Sequence, residues 1–233
     1  MTHYRLFELP QYRNKTQIFA DRHDAGRTLA DMLAPEFLKL RSTIILAIPS
    51  GGVPIGLGIA ARLLLPLDLM IVRKLQIPGN TEAGFGAMGL DGKIFMNEEL
   101  LSYLRLTDEQ IEAQAEIVRK ELRRRNLLFR DDRPPPDLTG KTVILVDDGL
   151  ASGYTMLAAA NSVRESKAAK LVVAIPTGLV DSIAKVGPLA DEVYCANVHD
   201  YAPFAVANAY RNWRDLSRQE VVDMIKTPLK RET

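Results

Sequence analysis

Apolar residues fall along this chain in two rhythms. Short runs rich in β-branched and other apolar residues, at Ser42–Ile48, Leu67–Arg73, Thr142–Val146, Lys170–Ile175 and Glu192–Ala196, predict strands buried in a sheet. Between them the apolar positions take helical spacing. Ala25, Leu29, Ala30 and Leu33 mark one helix, and others are predicted over about Val53–Leu64 and near Thr155–Ser166. Thr107 opens a long charged helix reaching about Leu128, with Glu109 or Gln110 near the reach of a capping box. Arg133-Pro134-Pro135-Pro136 is the clearest breaker. Gln76 to Lys93 carries Gly79, Gly84, Gly86, Gly89 and Gly92, which predicts a mobile loop or loose hairpin. Strand followed by helix, repeated, predicts an α/β fold around a parallel sheet.

Composition narrows the function classes. The 233 residues are 47% hydrophobic, enough for one substantial core, and the formal net charge is only +1. A general polyanion binder needs excess Lys and Arg, so no nucleic-acid partner is expected. A small phosphorylated ligand is still compatible, because a nest of backbone amides needs no global charge. Cys195 is the single cysteine, which excludes an intramolecular disulfide and a Cys-based zinc site. His3, His23 and His199 show no metal-ligand spacing. No apolar run reaches the roughly 18 residues a membrane helix needs, and Met1–Pro10 does not read as a signal segment. A soluble, cytoplasmic protein with no membrane partner is the expectation.

The richest chemistry lies in Val143-Ile144-Leu145-Val146-Asp147-Asp148-Gly149-Leu150-Ala151-Ser152-Gly153-Tyr154-Thr155. The apolar strand delivers Asp147 and Asp148 to its carboxyl end, where open α/β sheets bind ligands. Glycines for close approach, hydroxyls from Ser152 and Thr155, and the free amides of a helix start together suit a phosphate. Two carboxylates would repel that phosphate. They make sense as acceptors for ribose hydroxyls, directly or through Mg²⁺-bound water.

This stretch resembles the ribose-phosphate signature of the type I phosphoribosyltransferases. Tyr154 departs from the pattern, which has a small residue there more often. The resemblance implies that Asp147 and Asp148 hold the ribose of 5-phosphoribosyl 1-diphosphate, and that Gly149, Leu150, Ala151, Ser152, Gly153, Tyr154 and Thr155 hold its 5′-phosphate. Pro49-Ser50-Gly51-Gly52-Val53-Pro54 resembles the family's diphosphate loop, which often reads Arg-Gly-Gly and frequently holds a cis non-proline peptide. Ser50 stands where Arg is common, so Ser50, Gly51 and Gly52 would act through their amides. Val72-Arg73-Lys74 resembles the basic strand end that contacts diphosphate, which gives Arg73 and Lys74 a catalytic role beside Asp147 and Asp148. Phe19-x-Asp21-Arg22, Pro78-Gly79-Asn80 and Glu82-x-x-x-Gly86-Ala87 extend the likeness, to a poorly assigned branch, over about Phe19 to Asp215.

The fold so implied is a mostly parallel central sheet with helices on both faces, plus a small hood and flexible loop. One domain would fill residues 1–233, with an amino-terminal extension over 1–18, a flexible loop over 76–96 and a carboxy-terminal hood or tail over 197–233. The activity implied is transfer of the phosphoribosyl group to a nitrogen acceptor, with Mg²⁺ held mainly by the substrate, in a homodimer. The other reading is a regulatory protein that binds the donor or a nucleotide without turnover.

Competing motifs lack their structural context. Gly84-Phe85-Gly86-Ala87-Met88-Gly89 fits a dinucleotide fingerprint, but no buried strand precedes it and no helix follows directly. Gly140-Lys141-Thr142 enters a strand where a Walker A loop would leave one. The Arg119–Arg125 cluster reads as a solvated helix face balanced by Glu116 and Glu121. Phe204, Tyr210 and Trp213, at helical spacing, read as core, and His199-Asp200-Tyr201 as a hydrogen-bonded loop.

Overall fold

Strand residues alternate between two apolar layers, and that alternation organises the molecule. The structure is a computed structural model that describes residues 4–78 and 80–227, apart from the side chains of residues 80–83 and 99. Gly79 therefore lies outside the described residues. In chain order the elements are β1 (Arg5–Phe7), α1 (Arg22–Phe37), β2 (Thr43–Ala47), α2 (Gly52–Leu63), β3 (Leu67–Leu69), β4 (Val72–Ile77), β5 (Asn80–Gly89) and β6 (Ile94–Met96). They continue with α3 (Glu98–Leu104), α4 (Asp108–Arg130), β7 (Thr142–Val146), α5 (Tyr154–Glu165), β8 (Lys170–Leu179), α6 (Val180–Val186), β9 (Glu192–His199) and α7 (Arg218–Lys226).

The main sheet has the order β1-β9-β8-β7-β2-β3, with every pairing parallel. Ile45, Ile144, Val172 and Tyr194 pack with α1 and α2 in one apolar cluster. Their neighbours Ile44, Val143, Leu171 and Val193 pack with α5 and α6 in another. Helices thus cover both faces, as a parallel sheet requires. A third cluster joins α4 and α7 to the antiparallel sheet β4-β5-β6 through Leu75, Phe85, Leu122, Phe129 and Val221.

Several boundaries differ from expectation. Residues 1–18 were expected to be an extension, but Arg5–Phe7 forms an edge strand of the main sheet, in register with Glu192–Tyr194. The single strand expected over Leu67–Arg73 is two strands in different sheets. Met70 still donates to the Ala47 carbonyl, at 2.9 Å, and the chain then turns away as β4. Within 76–96, Gln76 and Ile77 end β4, while Asn80–Gly89 and Ile94–Met96 form β5 and β6. β5 pairs antiparallel to β4, as in the hairpin of the two readings for this stretch, with register shifts around Gln76. β9 runs to His199, into the segment expected as hood, and Phe204 to Trp213 hold only a short 3-10 turn at Val206–Ala209 instead of a helix. The long helix keeps its expected capping box. The Thr107 hydroxyl accepts from the Gln110 amide, and the Gln110 side chain accepts from the Thr107 amide.

Candidate active site

β2 and β7 lie side by side, so the turns after them meet at the carboxyl edge of the sheet. Between those turns is a cavity of about 650 Å³. Asp147, Asp148, Ser50, Gly51, Arg73 and Lys74 line it, together with Gly149 to Gly153 and Thr155. Turns far apart in sequence supply these groups, and the sheet register brings them together.

The two turns touch closely. A Cβ on Gly51 would sit 1.7 Å from Asp148 Oδ2, so no larger residue fits there with this carboxylate in place. The Pro49–Ser50 peptide is cis, as the resemblance suggested for this loop. The Gly52 amide donates to the Ile48 carbonyl at 3.0 Å and Gly52 does not line the cavity, which leaves Ser50 and Gly51 as the loop's lining residues.

In the second turn Leu150 serves as an anchor. Its side chain is buried, its amide donates to Thr177 and its carbonyl accepts from Leu179. The amides of Ala151 to Thr155 donate to no acceptor among the described residues. Gly153, at φ +85°, turns the chain into α5. These orphan amides at a helix start are a phosphate-sized donor set. Lys185 and Ser182 brace the loop from behind by donating to the carbonyls of Ser152 and Ala151. The Tyr154 ring lies outside the cavity lining, against the Lys185 ammonium at 4.4 Å, which explains why a large residue is tolerated.

The carboxylates are in unequal settings. Burial, and then the charge of Asp148, pushes the Asp147 carboxyl well above the usual range. Burial also raises Asp148, opposed by Arg22, whose Nε donates to Asp148 Oδ2 at 2.9 Å. Arg22 was expected only as a marker of the family branch. It is pinned on its far side by donating to the Arg214 carbonyl, and its guanidinium carbon lies 3.9 Å from the centre of the Trp213 ring. Trp213, Asp215 and Arg125 also line the cavity, and none was singled out for the site in the sequence. Arg125 belongs to the cluster expected to face solvent. Tyr210 is core, as expected, and its hydroxyl also donates to the Asp148 carbonyl at 2.6 Å.

Among the described residues no group of three His, Cys, Asp or Glu side chains is gathered for a metal. The Asp147–Asp148 pair still suits Mg²⁺, which takes one or two carboxylates and completes its shell with water and phosphate oxygens. No described helix is long and apolar enough to cross a membrane. Gly84 to Gly89 lie within β5, and Lys141 leads into β7, so neither competing motif has its required context.

Residues 18–188 match the family model described as a phosphoribosyl transferase domain. Two Mycobacterium tuberculosis proteins, from strains CDC 1551 and H37Rv and named for phosphoribosyl transferases, are each 39% identical over 206 residues. The match takes in 88% of this chain and 46% of theirs, so the chain spans about half the length of these curated relatives. The crystal structure of TT1426 from Thermus thermophilus is 34% identical with a TM-score of 0.71, over 89% of this chain and 97% of that one. With the paired acids and the orphan amides set at one sheet edge, and more than half of its length matched, the chain belongs to the phosphoribosyl transferase family.

Proposed function

We propose that the chain transfers the phosphoribosyl group of 5-phosphoribosyl 1-diphosphate to a nitrogen acceptor. The observation that carries this reading is the cavity on which two carboxylates, the orphan-amide turn Ala151–Gly153 with Thr155, and the Arg73–Lys74 strand end converge. Asp147 and Asp148 accept hydrogen bonds from the ribose diol. The amides of Ala151 to Thr155 receive the 5′-phosphate. Arg73, Lys74 and the Ser50–Gly51 amides face the diphosphate. The acceptor nitrogen's lone pair forms the new bond to the anomeric carbon. The carbon–oxygen bond to diphosphate breaks with its electron pair on the leaving group, and the nitrogen's proton is released to solvent. Negative charge grows on the departing diphosphate, so the cations and amides there stabilise the transition state electrostatically, with no covalent intermediate on the protein. Asp147 and Asp148 would hold Mg²⁺ through its water shell, and the ion would supply further neutralisation of that charge.

Titration calorimetry with the Mg²⁺–donor complex tests the reading. Charged hydrogen bonds are worth about 1.5–3 kcal/mol, so Asp147→Asn should weaken donor binding about 10- to 100-fold. An unchanged affinity removes the ribose role. Diphosphate release with a panel of nitrogen acceptors separates an enzyme from a sensor of the donor.

A further inference from the structure

The donor cavity lies at the carboxyl edge of the main sheet. At the opposite edge, where β2 and β7 begin, another recess of about 450 Å³ opens among the loops that lead into the strands. Lys39, Arg41 and Lys141 line it, with Leu40, Leu64 and Leu65 alongside, and no acidic residue does. None of the three cationic side chains makes an ion pair or a hydrogen bond among the described residues. Asp137, held below the ordinary carboxylate range first by the Thr139 amide and last by Lys141, stands outside the lining.

Basic side chains at this edge also complement the carboxyl ends of α1 and α2. The backbone has already closed those ends. The Lys39 amide donates to the Leu63 carbonyl at 2.9 Å, the Leu40 amide to Phe37 at 3.1 Å and the Leu65 amide to Ala60 at 3.2 Å. Lys141 belongs to no helix. Two further kinds of polar group are left over. The amides of Arg41 and Ser42 donate to no acceptor among the described residues. Thr43 lines the recess and is only 3% exposed, yet its hydroxyl has no hydrogen-bond partner among the described residues. A buried hydroxyl in that state costs free energy until something polar reaches it. Unpaired cations, free amides and an unsatisfied hydroxyl in one recess suit oxygen atoms that carry negative charge.

We propose that this recess binds the di- or triphosphate group of a free small molecule, at a site separate from the donor cavity. The phosphate oxygens accept from Lys39, Arg41 and Lys141, from the Arg41 and Ser42 amides and from the Thr43 hydroxyl. Three cations with no acid among them favour a ligand of more than one negative charge over a single carboxylate. The unpaired hydroxyl is buried, so the anion must enter the recess, which a free ligand does more readily than a head group held in the plane of a membrane. β2 and β7 run from this recess to the two turns of the donor cavity, so one sheet carries an anion site at each edge.

Two-dimensional amide NMR of the whole chain, titrated with inorganic triphosphate, reads the two edges separately. The expected result is saturable movement of the Ser42 and Thr43 amide signals, besides any movement of Ala151 to Thr155 at the donor cavity. Lys39 and Arg41 are exposed and Lys141 is half-buried, so their joint replacement by Gln is structurally mild. That triple variant should weaken binding read at Ser42 and Thr43 about ten-fold or more, and leave Mg²⁺–donor affinity as it was. Thr43→Val keeps the shape of the side chain and removes the unpaired hydroxyl. Its thermal midpoint should stay level or rise, while triphosphate affinity at this edge falls about ten-fold. Unmoved Ser42 and Thr43 signals, equal affinity in the triple variant, or a lower midpoint with unchanged affinity in Thr43→Val would each overturn the proposal. So would capture by phosphatidic acid vesicles with no response to triphosphate. Failure of the donor to bind overturns the donor reading alone.

Discussion

Asp147 sits where its own charge is disfavoured, between a buried strand end and the Asp148 carboxylate. Its folded-state pKa lies above the unfolded one, so the folded chain holds this proton more tightly than the unfolded chain does. The stability linked to it is complete below the ordinary carboxylate range and is lost as pH rises through the folded value. At neutral pH the buried carboxyl therefore costs stability, a cost that a bound sugar diol or a metal would offset. Asp147→Asn should raise the thermal midpoint near neutral pH while impairing donor binding, and the gain should fade on acidification below the carboxylate range. Scanning calorimetry at several pH values checks this, and a lower midpoint at neutral pH would contradict it. The pair at 147 and 148 was legible because two acids directly after an apolar strand have few structural uses. Arg22 was not, since its partner Asp148 lies 126 residues away and nothing local marks a guanidinium as its counter-ion.

Among the elements, the end of α4 shows what a breaker motif conceals. The proline run after Arg133 announced that the helix stops, and it does stop at Arg130. What the run could not announce is the clamp built there. Arg130, 1% exposed, donates twice to the Asp68 carboxylate at 2.9 Å, to the Asn126 side chain, and to the carbonyls of Arg133 and Pro134. It thus ties the end of α4 to β3, beside the turn where the chain leaves the main sheet. That turn was itself missed. A run such as Leu67-Asp-Leu-Met-Ile-Val-Arg73 has the same hydrophobic pattern whether it stays in one sheet or crosses to another. Arg130→Ala would leave Asp68 with only the Leu69 amide, at 2.7 Å, and the Arg133 and Pro134 carbonyls without this donor. The expected loss is about 3–5 kcal/mol in chemical denaturation, because breaking one side of a buried pair strands the other. A loss within the range of an ordinary surface substitution, about 0.5 kcal/mol, would show that the clamp carries no such weight.

At the scale of the whole molecule, the main sheet supplies the paired carboxylates and the orphan amides, and β4 and α4 supply Arg73, Lys74 and Arg125. The sheet half was readable from hydrophobic rhythm, because buried parallel strands are apolar without interruption. The cationic half was not. The charge pattern of α4 looks solvated until α7 packs over one side, through Arg218 to Glu121 at 2.6 Å. That packing turns Arg125 inward to the cavity, where burial and then the charge of Arg73 lower its pKa. Arginine remains protonated despite such a shift, so the site holds two guanidinium groups in mutual repulsion. A diphosphate would relieve it. Arg125→Met should accordingly weaken binding of Mg²⁺–diphosphate by about ten-fold or more. Folding should not suffer, because Glu121, which accepts from Arg125 at 3.1 Å, keeps Arg218 as its partner. Calorimetric titration and a denaturation curve on the same variant decide the matter. Lost affinity with unchanged or raised stability identifies Arg125 as a ligand-facing cation built into the fold, whereas lost stability with unchanged affinity makes it a strut between α4 and α7.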